Sequence, residues 1–321
     1  MTGSIIWSLY KEKLSRIIAD YIKGRVRNSG RTILHYAIIT NPVSGGMAVD
    51  QKRSALAKAA EILKANIHGL DTASAEDFSN CARDLAGRCE VLVVAGGDGT
   101  LSDIINAVDT SKTPVGFLPL GTGNAMRHGL QYQGDLADIA RRIRDGKIHQ
   151  FDLINCHGKR RAFLASVGIE GTIVRLWQQS RDRGSSGFKA YFLATLSSYF
   201  KEYKRASGMI DVDEERFEAK DLMSLIIMKQ PYFGFGMKVM PKARFDDGQL
   251  HIRCINSGLL KTSLGILTAF TLGNLIGRYL TGKELTLKLD RPLVLQCDGS
   301  EGWEADSFYF KILPKALKIK C

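Results

Sequence analysis

Apolar and polar positions change rhythm twice along the 321 residues. Over residues 5–27, Tyr10, Leu14, Ile17, Ile18 and Tyr21 recur at helical spacing. Lys11, Lys13, Arg16, Lys23, Arg25 and Arg27 lie largely elsewhere on the wheel, which predicts a basic amphipathic helix. Such a helix suits an anionic membrane interface, and packing on its own domain explains the stripe equally well. From residue 33 short apolar runs alternate with helical stretches: strands at 33–40, 69–73, 91–95 and 115–118, helices at 49–66, 76–87, 100–108 and 135–145. This alternation predicts a parallel α/β layer. Beyond residue 147 the segments become short and β-rich, at 148–156, 161–167, 222–229, 236–240, 250–255 and 285–289, as a sandwich or barrel requires. Residues 262–277 carry no charge, but a spanning helix needs about 20 apolar residues. They are expected to form a core or substrate-groove helix.

Charge sharpens this picture. The net charge of +12 points to an anionic partner such as a membrane lipid, a nucleic acid or a polyphosphate. Residues 1–31 hold seven Lys/Arg against two acids and residues 159–205 hold ten against three, which together account for the whole excess. Solvated helix faces explain any one of these runs as well. No aromatic platform or helix-turn-helix signature accompanies them, so no nucleic-acid partner is expected. The six cysteines are scattered, with no C-x-x-C pair that would read as a zinc site, and are expected in a reducing compartment. The apolar run at residues 5–9 is too short for a signal peptide, so a cytoplasmic protein is expected.

Three glycine-rich segments fall where the predicted strands of the first half end: Asn41-Pro42-Val43-Ser44-Gly45-Gly46, Gly96-Gly97-Asp98-Gly99-Thr100 and Leu120-Gly121-Thr122-Gly123-Asn124. In open α/β sheets ligands bind at the carboxyl ends of strands, where glycines let backbone N–H groups approach phosphate oxygens. One such loop is often only a turn. Three on successive strand ends, one with a central carboxylate, can face a single ligand. The chain has no G-x-x-x-x-G-K-[ST], and no G-x-G-x-x-G opens a helix after its first strand, so the P-loop and dinucleotide readings fall away.

These segments resemble the diacylglycerol kinase catalytic family, which includes sphingosine and ceramide kinases and is related in fold to NAD kinase. Its hallmarks N-P-x-S-G, G-G-D-G-T with a following Asn, and P-L-G-T-G-N stand here at Asn41 to Gly45, at Gly96 to Thr100 with Asn106, and at Pro119 to Asn124. Tyr232 to Gly236, Met237, Pro241 and Asp246-Asp247-Gly248 resemble a later segment, and Leu313-Pro314-Lys315-Ala316-Leu317 the closing strand. The resemblance, which runs from about Tyr36 to the C-terminus, implies two domains after the basic helix expected at 1–30: a Rossmann-like α/β nucleotide domain at 31–146 and a larger β-sandwich domain at 147–321 whose last strand is expected to return to the first domain. It also implies ATP and Mg²⁺ in a cleft, with Asn41, Ser44, Gly45, Gly96, Gly97, Gly99, Thr100, Gly121, Thr122, Gly123 and Asn124 around the nucleotide.

Asp98 is the expected catalytic carboxylate, since phosphoryl transfer asks the protein for positioning, charge neutralisation and an acid–base group. A helix N-cap is its bland alternative. Relatives show D-G-E where this chain has Asp298-Gly299-Ser300-Glu301. Either one residue is inserted and Glu301 supplies the carboxylate, or the carboxylate is lost and Asp298 works alone; the longer spacing to Leu313-Pro314 favours insertion. By resemblance Asp246 and Asp247 hold a structural Mg²⁺, with an acidic β-turn as the alternative. Glu170 stands where relatives commonly place an Asp against the acceptor headgroup. Arg175, Arg181, Arg183 and Lys189 follow it and are expected beside anionic headgroups. His128 reads as structural. The leading expectation is a peripheral membrane enzyme that phosphorylates diacylglycerol, ceramide or a sphingoid base. A kinase of a soluble acceptor and a catalytically weak lipid-binding regulator remain in competition, and a homodimer stays open.

Overall fold

The computed structural model describes residues 34–121, 123–182, 197 and 203–321. The predicted N-terminal helix and the positions Thr122, Arg183 and Lys189 lie outside them. In the first half, β1 (Leu34–Thr40), β2 (Ile67–His68), β3 (Cys89–Gly96) and β4 (Val115–Pro119) stand in the order β4-β3-β1-β2. β1 pairs parallel with β2, and β3 parallel with β4. Helices α1 (Val49–Leu63), α2 (Ala75–Ala86), α3 (Asp98–Ala107), α4 (Ala125–Gly129) and α5 (Leu136–Asp145) connect and follow these strands.

Two of these helices are specified by their own caps. α2 starts where Ser74 Oγ accepts the Asp77 N–H at 3.0 Å, and it buries Phe78, Ala82 and Leu85 at helical spacing. α5 starts in a capping box between Asp135 and Asp138 and buries Ile139, Ala140 and Ile143. The strand expected at 69–73 is instead a turn. Gly69 takes a φ of 86° and the Thr72 hydroxyl donates back to its carbonyl at 2.7 Å, so β2 ends at His68.

The second half is β-rich: β5 (Ile148–Cys156), β6 (Arg160–Ala162), β7 (Leu164–Gly168), β8 (Ala206–Val212), β9 (Glu215–Leu222), β10 (Ser224–Met228), β11 (Leu250–Ile255), β12 (Arg278–Gly282), β13 (Glu284–Cys297) and β14 (Ser300–Lys320). Two helices interrupt them, α6 (Ile169–Asp182) and α7 (Leu259–Ala269). β13 builds the sandwich by changing partners. Leu285 to Leu289 pair with β8, whereas Leu295 to Cys297 pair with β7, and a register break against β14 between Lys288 and Leu293 turns the strand from one layer into the other. Strands β10, β11 and β12 extend the second layer from β7. Ile210, Leu225, Ile252, Leu287, Phe308 and Phe310, from both layers, meet in one buried core.

β14 ties the halves together. It runs antiparallel to β13 and β5, and at Ile319 it pairs parallel with Val115 of β4. Asn106 of α3 adds a second tie: its amide accepts the Arg161 N–H at 2.8 Å and donates to the Arg161 carbonyl at 2.9 Å. The segment 236–240, expected as a strand, is irregular. Phe235 and Gly236 take φ values of 61° and 76°, which no strand accommodates. Among the described residues no helix is long and apolar enough to cross a membrane.

Candidate active site

β1, β3 and β4 are neighbours in the sheet, so the loops after their carboxyl ends share one edge. After β1, Asn41 Oδ1 accepts the Val43 N–H at 3.0 Å and its carbonyl accepts the Ser44 hydroxyl at 2.9 Å. Lys52 fixes this turn from below. Its Nζ donates to the carbonyls of Asn41 and Pro42, both at 2.7 Å, while its side chain is almost fully buried. Burial pushes its pKa down. Sequence reading missed Lys52, although it occupies the first place in the buried stripe Lys52, Leu56, Ala59 and Leu63 of α1.

The loops after β3 and β4 touch through bare backbone. A side chain at Gly121 would put its Cβ 2.7 Å from the Gly97 Cα, so the approach requires glycine. Asp98 then locks the two loops together: its Oδ2 accepts the Ala125 N–H at 2.7 Å and its Oδ1 the Met126 N–H at 3.0 Å. It therefore caps α4, a helix other than the one it begins. Burial pushes the Asp98 carboxyl up, and these two donors oppose the shift. Thr100 is buried with its side chain against Gly96. Asn124, left-handed at φ 30°, donates from Nδ2 to the Gly121 carbonyl. Its buried Oδ1 has no donor among the described residues.

The loop after β4 also reaches the second half. The Phe235 N–H donates to the Gly123 carbonyl at 2.9 Å, and Gly236 packs on the His128 ring, which tilts against Tyr232 at 5.6 Å.

At the β13–β14 hairpin, Asp298 and Gly299 form a two-residue turn with φ values of 51° and 80°, closed by the pair Cys297–Ser300. Asp298 is buried and turned inward, its Oδ1 accepting the N–H groups of Phe163 at 3.1 Å and Leu164 at 2.9 Å. Burial pushes it up to about 7, against Ser102, Arg160 and those two donors. Ser300 faces the glycine loop: a Cβ at Gly99 would sit 3.7 Å from its Oγ. Glu301 points elsewhere, to Arg175 of α6 at 2.7 Å, and Arg175 also binds Glu304 at 3.2 Å. The turn thus has no inserted residue. The longer spacing is absorbed further along, where the three steps from Glu301 to Glu304 face the two from Gln296 to Val294, a bulge in β14. Strand alternation then sends Glu301 away from the loop and leaves Ser300 there. Arg175, expected beside lipid headgroups, is occupied by these two carboxylates.

The expected metal pair is corrected too. Asp247 is taken by protein donors: Lys229 Nζ lies 2.7 Å from its Oδ1, and His251 Nε2 lies 2.8 Å from its Oδ2. Lys229 is fully buried, lies 3.3 Å from Asp152 Oδ2, and donates to the Gln249 carbonyl. Burial works against ionised Asp247, but Lys229 and His251 hold its pKa below the usual value. Two carboxylates and a carbonyl are hard oxygen ligands of the kind Mg²⁺ takes, yet the Lys229 ammonium fills the place among them. Asp246 stands exposed beside this cluster. Among the described residues no group of three or more His, Cys, Asp or Glu could hold a metal ion.

Behind the 231–240 loop lies a cavity of about 320 Å³, lined by Ile173, Met223, Ile226, Phe233, Phe235 and Ile276 among other apolar residues. Glu170, at the start of α6, is the carboxylate in this lining. The Ser224 hydroxyl donates to its Oε1 at 2.6 Å, while its buried Oε2 has no partner among the described residues. Burial pushes Glu170 up to about 7, with Ser224 opposing.

Known proteins carry the same two halves. The family model described as diacylglycerol kinase catalytic domain matches residues 35–156, and the one described as YegS C-terminal NAD kinase beta sandwich-like domain matches residues 164–321. The chain belongs to the diacylglycerol kinase catalytic-domain family. As a member of that family it is a lipid kinase. It is 25% identical over 230 residues to a protein named diacylglycerol kinase from Staphylococcus saprophyticus, covering 70% of this chain and 74% of that one. The protein of that name from Staphylococcus epidermidis strain RP62A is 24% identical over 226 residues, covering 68% and 71%. A crystal structure of a diacylglycerol kinase from Bacillus anthracis str. Sterne shares the fold, with a TM-score of 0.68 at 15% identity over 89% of this chain and 96% of that one. In this chain the hairpin puts Ser300, the residue that follows Asp298-Gly299, beside the glycine loop.

Two outcomes follow from this geometry. Without nucleotide, the unfolding temperature is expected to be the same in EDTA as in MgCl₂, because Lys229 occupies the cation place. Lys229→Ala, which strands the buried Asp152 carboxylate, is expected to cost about 3 kcal/mol in urea unfolding. The second outcome concerns Glu170, whose folded pKa of about 7 lies above its ordinary 4.5. Between those values the folded chain binds more protons than the unfolded one, so stability falls as pH rises. In Glu170→Gln the fall from about pH 4.5 to about pH 8 should be smaller by about 3 kcal/mol. An unchanged profile in urea titrations would remove this carboxyl as its source.

Proposed function

We propose that the protein transfers the γ-phosphoryl group of ATP, carried as its Mg²⁺ complex, to a hydroxyl of a membrane lipid, with diacylglycerol, ceramide and sphingoid bases as the acceptor classes. One observation carries this reading: an apolar cavity with a carboxylate oxygen that has no partner among the described residues lies against the loop whose Phe235 N–H binds the Gly123 carbonyl. The cavity lining suits acyl chains rather than a soluble acceptor.

In this reading the backbone N–H groups of the loops around Asn41 to Gly45, Gly96 to Thr100 and Gly121 to Asn124 receive the phosphates. Glu170 Oε2 receives a polar group of the acceptor. Asp98 takes the proton of the attacking hydroxyl as the new O–P bond forms and the bond to the β-phosphate oxygen breaks, releasing ADP. Each Asp98 oxygen already accepts one N–H and keeps one lone-pair site for this role. The raised pKa makes it the stronger base. Asp298 supports the hairpin from inside.

A second reading, a catalytically weak lipid-binding regulator, draws support from Ser300, which leaves the glycine loop without the family's second carboxylate. Phosphate transfer from γ-labelled ATP to mixed vesicles holding diacylglycerol, ceramide or sphingosine separates the two. A labelled lipid is expected; bound ATP and bound vesicles with no labelled product would favour the regulator. Asp98→Asn sets an N–H against one of two backbone donors and should cost about 1 kcal/mol of stability. Its turnover should fall by about two decades or more with ATP still bound. A rate that falls only with the folded fraction would leave Asp98 as a loop clamp alone.

A further inference from the structure

Large apolar side chains stand in water along one short stretch. Among the described residues eight large hydrophobics are exposed, and six of them lie between residues 264 and 275: Leu264, Ile266, Leu267, Phe270, Leu272 and Leu275. Leu267 is 66% exposed, Leu275 74% and Leu272 81%. A surface helix ordinarily turns its apolar stripe inward and polar residues outward. α7 departs from this. Thr262, Gly265, Ile266 and Ala269 line the cavity, while Leu264 and Leu267 of the same helix are exposed. Ile266 and Phe270 belong to both sets, so the exposed patch is continuous with the cavity wall.

Charge names the occupant. In sequence, residues 231–245 and 256–283 contain and flank the patch and hold Lys238, Lys242, Arg244, Lys261, Arg278 and Lys283 with no Asp or Glu of their own, Arg278 being paired with Glu215. Lys238 is held against the apolar loop, its N–H donating to the Ala269 carbonyl at 2.7 Å and its carbonyl accepting the Asn274 N–H at 2.9 Å. An uncharged apolar tip carried on segments with an excess of cations matches the acyl layer and headgroup layer of an anionic membrane.

We propose that α7 and the loop after it dock on an anionic bilayer, with Leu267, Leu272 and Leu275 entering the acyl layer and the acceptor lipid passing by Ile266 and Phe270 into the cavity. The passage of the acceptor rests on the function proposed above; the docking itself does not. The acceptor then never leaves an apolar phase on its way to Glu170.

The test compares the full chain with a Leu267→Asp, Leu272→Asp, Leu275→Asp variant, whose changed side chains lie outside the cavity lining. Flotation on vesicles of equal parts phosphatidylcholine and phosphatidylglycerol should show binding weakened by about ten-fold or more, with an unchanged unfolding midpoint. Transfer to long-chain diacylglycerol in those vesicles should fall with it, while transfer to a short-chain diacylglycerol dispersed as monomers stays at the wild-type rate. Retained vesicle affinity in the variant, whether through residues 1–31 or any other segment, overturns the proposal. A wild-type dimer that the variant dissociates without losing vesicle affinity assigns the patch to a second copy and overturns it equally. If neither protein labels any lipid, the proposed reaction fails while the flotation comparison still decides the docking.

Discussion

The Asp98 carboxylate holds the centre of this molecule. By accepting two amides at the head of α4 it fixes the glycine loop of β3 against that of β4, a contact possible only because Gly97 and Gly121 carry no side chains. The fixed loop presents the Gly123 carbonyl to Phe235, and Phe235 is part of the cavity wall. A single chain of hydrogen bonds therefore runs from the strand ends of the first half to the apolar chamber of the second. The proposed phosphoryl transfer depends on holding donor and acceptor in register, which is the use this chain of contacts would have in it.

Two buried lysines play parallel parts. Lys52 gathers carbonyls beneath the first loop, and Lys229 gathers carboxylates and a carbonyl beneath the Asp247 turn. Both use an ammonium as an internal cation that gathers the oxygens of a turn. The difference lies in the neighbours. Lys229 has two carboxylates to offset its burial, whereas the hydrogen-bond partners recorded for Lys52 are neutral oxygens, and its pKa is lowered accordingly.

Much of this was legible in the chain. The glycine segments, their order and the change from alternating helices and strands to short strands follow from local chemistry, since turns and amphipathic periods are written in contiguous residues. Glu301 was not legible, because a bulge in β14 decides which face it takes and a bulge depends on pairing with a distant strand. Asp247 was misread for a related reason: its cation comes from Lys229, the residue that follows the apolar strand β10, eighteen positions earlier. The irregular 236–240 loop looked like a strand because its apolar residues serve the cavity rather than a sheet.

The long last strand sets the order in which the halves can finish folding. β4 has β3 on one side and receives its other neighbour only when Ile319 arrives, more than two hundred residues later. Until then the parallel layer presents an open edge of unpaired amides and carbonyls, the kind of template that recruits other chains. Pairing over such a distance raises contact order and slows the last step of assembly. The first half thus waits on the second to complete its sheet.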